Sequence, residues 1–211
     1  MLTYSPATGQ LRHAPDLVLD PWQWTWQASS HPAPADAGEI SMRDAVIQVH
    51  SHGRRRLVPV AIIGPRDPDP ATRALAEQMG EAIGALGVPV LCGGKTGVME
   101  AAAKGAKRAG ALTIGIVPDN HWSEANDFID LPLATGLGPA RNVLVARMSL
   151  ALVAVGGQYG TITEAAYGLH FHKPVFGLAD APRIEGVRQM DSVDAVGDAL
   201  LPILLRLPDM S

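Results

Sequence analysis

The chain has 211 residues, of which 47% are hydrophobic and 18% charged, and a formal net charge of -4. Such a chain supports one globular domain with a sizeable core and a small appendage, and it lacks the basic surplus of a nucleic-acid binder. Its lone cysteine, Cys92, cannot staple the fold, and neither a leader-like start nor an apolar run near the ~20 residues of a bilayer span is present, so a cytoplasmic location without a membrane partner is expected.

In chain order, residues 1–56 read as an irregular, aromatic-rich arm, and residues 57–211 as a regular alternation of strands and helices forming a nucleotide-binding domain. In the arm, "DLVLDPWQWTWQ" spaces Trp22, Trp24 and Trp26 two apart, which predicts an extended segment with all three rings on one face. That stripe suits burial against a partner subunit, so a homodimer or higher homo-oligomer is expected. "SSHPAPADAG" predicts a loop, and "SMRDAVIQVHSH" a short helix capped by Ser41 with Asp44 as its partner. Arg54, Arg55 and Arg56 read as a solvated junction. Beyond them, "LVPVAII", "VPVLC", "LTIGIVP", "LALVAV" and "KPVFGL" predict buried strands, the last of these ending the sheet, and "IDLPLAT" an extended segment. The helices expected between them are "ATRALAEQMGEAIGAL", "VMEAAAKGAKRAG", "PARNVLVARMS" and "TITEAAYGLHFH". "SVDAVGDALLPILLRL" closes the chain as a helix interrupted at Pro202.

Apolar strands alternating with helices imply an α/β fold with a doubly wound, mostly parallel, Rossmann-like sheet and a small N-terminal extension. Ligands of such sheets bind beyond the carboxyl ends of the strands, where helix N-termini point. Four strand exits carry small or special residues: Gly64-Pro65-Arg66, Gly93-Gly94-Lys95-Thr96-Gly97, Gly136-Leu137-Gly138 and Gly156-Gly157-Gln158-Tyr159-Gly160. Glycine lets backbone N–H groups approach an anion, and a helix starting there adds partial positive charge. Each turn alone is also an ordinary tight connection; together they point to a nucleotide or phosphosugar site. "GGKT" is not a P-loop, because Pro89 stands where the first glycine belongs and a strand fills the interval. "GPRDPD" likewise lacks the second and third glycines of the dinucleotide fingerprint.

Thr161-x-x-Glu164 is formally a capping box. Alternatively, Glu164 faces the cleft from the first turn of its helix, where a carboxylate can stabilise an oxocarbenium ion or orient a water. Arg141 opens another helix near the same edge and offers a fork of donors to phosphate or ribose oxygens. Its alternative is a salt bridge with Asp127, Asp130 or Glu164.

"GGKTGVMEAAAKGAKRAGALTIGIVP", "GLGPARN" and "GGQYGTITEAAYG" resemble the LOG family of Rossmann-like proteins, long mislabelled lysine decarboxylases. The resemblance spans about Val58 to Leu178. It implies Arg141 and Glu164 as catalytic residues of a phosphoribohydrolase, which splits a nucleoside 5′-monophosphate into free base and ribose 5-phosphate. It places Gly157, Gly160 and Thr161 on a phosphate-binding turn and Gly94, Gly97 and Met99 on the first motif. Gly64, Pro65, Gly93, Lys95, Thr96, Asn142, Gln158 and Tyr159 complete the expected ligand contacts. Neither a cofactor nor a metal is implied, and the expected partner is a nucleoside monophosphate or a related phosphorylated small molecule. The chain departs from the family pattern where Gly156 replaces a Pro, Gln158 a Gly, and Asn142 the Lys after the Arg. "GLGPARN" followed by "AVGG" is closer to the branch containing molybdenum-cofactor carrier proteins. Two functions therefore stand: the hydrolase, and a non-catalytic carrier or sensor of a nucleotide-like or molybdopterin-like ligand in the same cleft.

The remaining signals are weaker. His170 and His172 are two apart on a helix and diverge, so they read as core-edge or partly exposed residues. His121 and Trp122 sit in a polar loop, which reads as mobile surface more readily than as a base-stacking site. Cys92 reads as an inert core thiol.

Overall fold

The structure, a computed structural model, describes residues 1–14 and 16–207. Contacts divide the chain into two units, one comprising Met1–Leu57 with the chain from Asp198 on, the other Val58–Gly197.

In the first unit the sequence predicted an extended arm, and the structure has a five-stranded antiparallel sheet. Its strands are β1 (Leu2–Ser5), β2 (Gln10–His13), β3 (Leu17–Asp20), β4 (Thr25–Ala28) and β5 (Gly38–Glu39), in the order β4-β3-β2-β1-β5. Helix α1 (Met42–Ser51) follows, capped as expected, with the Asp44 N–H donating to Ser41 Oγ at 3.1 Å. The Trp stripe does not form, because the chain reverses inside it. Asp20 Oδ1 accepts from the N–H groups of Trp22 and Gln23 at 2.8 and 3.1 Å, and Trp24 takes a left-handed conformation, φ +55°, closing a turn between β3 and β4. A side-chain-to-backbone bond of this kind competes directly with an extended strand. The three rings then go separate ways. Trp24 Nε1–H donates to the Arg56 carbonyl and Trp26 Nε1–H to the Leu205 carbonyl, each at 2.9 Å. Trp22 lies beneath the guanidiniums of Arg54 and Arg56, 4.4 and 4.8 Å from its centroid, so these two arginines are ring partners and not merely solvated charges.

The second unit holds seven parallel strands: β6 (Val60–Ile63), β7 (Val90–Cys92), β8 (Thr113–Val117), β9 (Leu131–Ala134), β10 (Leu152–Val155), β11 (Val175–Leu178) and β12 (Val187–Gln189). Their order is β12-β11-β10-β6-β7-β8-β9, with every pairing parallel. The connecting helices are α2 (Pro70–Gly84), α3 (Val98–Arg108), α4 (Asn142–Met148) and α5 (Tyr159–His170); α6 (Val193–Leu204) begins in this unit and from Asp198 on belongs to the first. β6 and β10 are buried at every position, as two-sided cover by helices requires. Alanines and branched residues such as Ala61, Ile63, Leu91, Ile116, Leu152 and Val175 form one core cluster. Helices α2 and α3 approach backbone to backbone: a Cβ on Gly105 would lie 1.9 Å from the Glu77 carbonyl oxygen, and one on Gly80 2.0 Å from that of Ala102.

Two expectations are corrected here. The sheet does not end at "KPVFGL": β12 pairs Val187–Gln189 with Val175–Gly177, and its three residues, two of them exposed, carry no apolar run. Pro202 does not interrupt α6, because it lies in the last turn, where one backbone bond is forgone while the helix runs on to Leu204.

Candidate functional site

From β6 the chain moves outward through β7, β8 and β9, then returns to lay β10 against the other side of β6. The strand order therefore reverses between β6 and β10, and the connections leaving these two strands diverge and open a crevice. A cavity of about 470 Å³ lies there, within the range of about 300–1,000 Å³ usual for small-molecule sites. It is lined from the β6 exit by Gly64, Pro65 and Arg66, and from the β10 exit by Gln158, Gly160, Thr161 and Glu164. Met99 of α3, Pro118 and Asp119 after β8, and the Gly138–Asn142 turn complete it. Gly64 has no room for a side chain, since a Cβ would lie 2.6 Å from the Val155 carbonyl oxygen.

Arg141 and Glu164 meet at this cavity. Arg141 Nη1 donates to Glu164 Oε1 at 2.8 Å, and both side chains are more than nine-tenths buried. Of the three carboxylates weighed as partners for Arg141, Glu164 is the one paired with it. Nη1 also donates to Asn142 Oδ1, while Arg141 Nε is buried with no hydrogen-bond partner among the described residues. Burial pushes the Glu164 carboxyl up to about 7, against the opposing pull of the Arg141 guanidinium. Gly93 makes room for the pair: a Cβ there would lie 2.1 Å from Arg141 Nη2.

The capping frame differs from expectation. Helix α5 begins at Tyr159 with Gln158 as N-cap, and the Gln158 N–H donates to Thr161 Oγ1 at 3.4 Å. Glu164 thus belongs to the second turn, not the first, and its carboxylate serves Arg141 instead of the helix end. The glycines before it start the helix three residues earlier than the Thr-x-x-Glu pattern suggested.

Of the expected site residues, Gly64, Pro65, Met99, Arg141, Asn142, Gln158, Gly160, Thr161 and Glu164 line the cavity. The other expected residues do not. Gly93 backs Arg141, and Gly157 packs against Pro182. Gly94, at φ +71°, faces Gly115, and Gly97, at φ +77°, opens α3 against the Arg66 carbonyl. Lys95 Nζ donates to Asp119 Oδ2 and to the Glu124 carbonyl, both at 2.8 Å. Thr96 Oγ1 reaches the Arg66 carbonyl at 3.4 Å, and Tyr159 is 88% exposed. The "GGKTG" turn therefore buttresses the β6 exit from behind, with the Val98 N–H donating to the Pro65 carbonyl at 3.1 Å. Arg66, Pro118, Asp119, Gly138 and Pro139 line the cavity without having been singled out as ligand contacts. Arg66 and Gly138 stand in the glycine-rich exits and Pro139 in "GLGPARN", whereas Pro118 and Asp119 carry no signal beyond their position just after a strand.

The weaker signals fall outside the cavity. His170 and His172 are exposed, as are His121 and Trp122. Cys92 is buried and its thiol is pushed up to about 11 by desolvation, as an inert core residue requires. Among the described residues no group of three or more His, Cys, Asp or Glu is placed to hold a metal ion, and no helix is long and apolar enough to cross a membrane.

A parallel sheet with helices on its faces and a Gly-lined crevice at its switch point defines a Rossmann-like fold. The chain belongs to the SLOG cluster4 family, whose model matches residues 57–198. It is 42% identical over 137 residues to an uncharacterized protein of Archaeoglobus fulgidus, a match covering 65% of this chain and 90% of that one. Among solved structures, the molybdenum cofactor binding protein of Rippkaea orientalis superposes with a TM-score of 0.68 at 32% identity, covering 71% of this chain and 98% of that one. The molybdenum cofactor carrier protein of Chlamydomonas reinhardtii does so with a TM-score of 0.63 at 36% identity, covering 69% and 98%. The expected placement in the LOG-like class, near the carrier branch, holds.

Proposed function

We propose that this protein binds a phosphorylated, nucleotide-like or molybdopterin-like small molecule in the switch-point cavity and acts as its carrier. One observation supports this above the others: the start of α5 and the Arg141 guanidinium border the same cavity. The first-turn N–H groups of a helix precede its first intrahelical bond, here Ile162 N–H to the Gln158 carbonyl, and the helix dipole adds to their attraction for an anion. Arg141 adds a full charge. The similar proteins of Rippkaea and Chlamydomonas bind or carry the molybdenum cofactor, which supports a ligand of that general kind.

A second reading, hydrolysis of a nucleoside 5′-monophosphate to free base and ribose 5-phosphate, is favoured by Glu164. Its carboxylate borders the cavity, and once ionised it can face the cationic anomeric carbon of a departing base. In that reading Arg141 positions the substrate and Glu164 stabilises the ribosyl cation. Incubation with AMP and GMP separates the two. A carrier shows saturable binding and a raised melting temperature with no free base by chromatography. A hydrolase releases base and loses that activity in Glu164→Gln. The absence of any binding refutes the hydrolase and leaves the carrier with the molybdopterin-like ligand alone.

A further inference from the structure

The cavity runs along the rim of the sheet from the β10 exit, past the β6 exit, to Pro118 and Asp119 at the β8 exit. In the order β10-β6-β7-β8, its ends stand three strand spacings apart, about 14 Å. That spans a nucleoside monophosphate with a hydrogen bond at each end. The two ends differ in charge. The β10 end carries the N-terminus of α5, a helix of 12 residues, which favours an anion. The β8 end carries a carboxylate. Asp119 Oδ2 accepts from Lys95 Nζ at 2.8 Å, with Lys95 largely buried and the carboxylate still 40% exposed. The Lys95 bond, aided by the nearby Arg66 charge, holds the Asp119 carboxyl below its ordinary 3.8, so it is ionised at neutral pH.

An ionised carboxylate only accepts hydrogen bonds, and Lys95 takes one of its roughly four lone-pair sites. Lys95 and Arg66 offset the charge of this carboxylate, so orientation follows from hydrogen-bond character: phosphate goes to the free N–H groups of α5 and to Arg141, and donor groups go to Asp119. Adenine offers there one amino group beside a ring nitrogen whose lone pair opposes a carboxylate oxygen. A 2-amino-4-oxo ring, as in guanine and pterins, offers two N–H donors side by side, which match the two oxygens of a carboxylate. We propose that Asp119 is a specificity-determining residue that selects 2-amino-4-oxo heterocycles over adenine-type rings. This rests on the binding function proposed above and narrows it to one ligand chemistry.

The experiment is calorimetric titration of the full chain with GMP, IMP and AMP, repeated on Asp119→Asn. Two parallel bonds to a base edge discriminate by roughly tenfold or more. Wild type should bind GMP at least about tenfold tighter than AMP, with IMP, which lacks the 2-amino group, in between. Asp119→Asn should lose that preference by weakening GMP alone. Asp119 is 40% exposed, and a melting curve confirms that the variant is folded. Equal binding of GMP and AMP by wild type overturns the inference while leaving the binding function intact. So does a uniform loss for all three in the variant, which would assign the carboxylate to the shared ribose. Failure of wild type to bind any of the three overturns this inference together with nucleotide binding as the function of the cavity.

Discussion

Glu164 sets burial against ion pairing, and replacing it with Gln decides which dominates. Burial raises its carboxyl from 4.5 to about 7, although the Arg141 guanidinium lies 2.8 Å away. The folded chain then holds a proton that the unfolded chain has released, so stability falls as pH rises across that interval. The protonated form's advantage is fully present below about pH 4.5 and is lost as pH passes about 7. At about 1.4 kcal/mol for each pH unit of separation, the whole loss is about 3 kcal/mol, a substantial part of the ~5–15 kcal/mol by which a domain is stable. Glu164→Gln removes the titration while keeping the shape. It also leaves Arg141 unpaired, but a guanidinium stays charged throughout, so that cost is a constant offset. Urea denaturation of both proteins from about pH 5 to about pH 8 should therefore show the wild type losing most of that, about 2–3 kcal/mol, relative to the variant. A flat difference, or one in which the wild type gains stability as pH rises, refutes the reasoning. It would mean that Arg141 outweighs burial and keeps Glu164 ionised.

Other substitutions probe the supports of the site. In Gly93→Ala the nearest atoms to the new Cβ are side-chain atoms, Arg141 Nη2 at 2.1 Å, Arg141 Cζ at 2.7 Å and Met99 Sδ at 2.8 Å, so the guanidinium is displaced from Glu164. Breaking a buried pair this way should cost about 3 kcal/mol in urea denaturation and at least about tenfold in nucleotide affinity by calorimetry. Gly105→Ala forces α2 from α3 against the Glu77 backbone and should cost about 2–3 kcal/mol, while Gly38→Ala, which meets nothing within 4 Å, should stay within about 0.5 kcal/mol. Cys92, buried and held up at about 11, should react with a thiol reagent only as fast as the chain opens; rapid labelling of the native protein would show the β7 end to be accessible.

The parallel sheet was legible because its central strands are apolar runs bounded by turn-forming residues, and β6, β7, β8, β10 and β11 all fall where those runs lie. Arg141 and Glu164 were legible through their motifs. The N-terminal sheet was not. Its four-residue strands carry mixed burial, and its turn at Asp20–Trp24 depends on a backbone-capping carboxylate and a tryptophan in the left-handed region, neither visible as hydrophobic periodicity. β12 escaped for a similar reason: a short edge strand follows from pairing with β11 and not from its own composition. Asp119 looked like one more polar loop residue, because its relevance depends on β8 standing two strands from β6 in the sheet.

The two departures at the β10 exit are coupled through the backbone. Where the family pattern has a proline, Gly156 adopts φ +64°, a conformation that a ring locked near −65° cannot reach. The turn is thus built differently from one beginning with proline, and a left-handed residue redirects the chain before α5 starts. Gln158 then follows in extended conformation at φ -136°, which needs no glycine. Its side chain is exposed at the lip, and the cavity keeps about 470 Å³ with Gln158 on its wall. A side chain at this position therefore does not plug the site. It adds an amide, with both donor and acceptor, beside the N-terminus of α5, at the end of the cavity where the phosphate is expected. Gln158→Gly should restore the bare turn without moving the backbone. Weaker phosphate-ligand binding in that variant would assign the amide to the ligand, and unchanged binding would leave the grip to α5 and Arg141 alone.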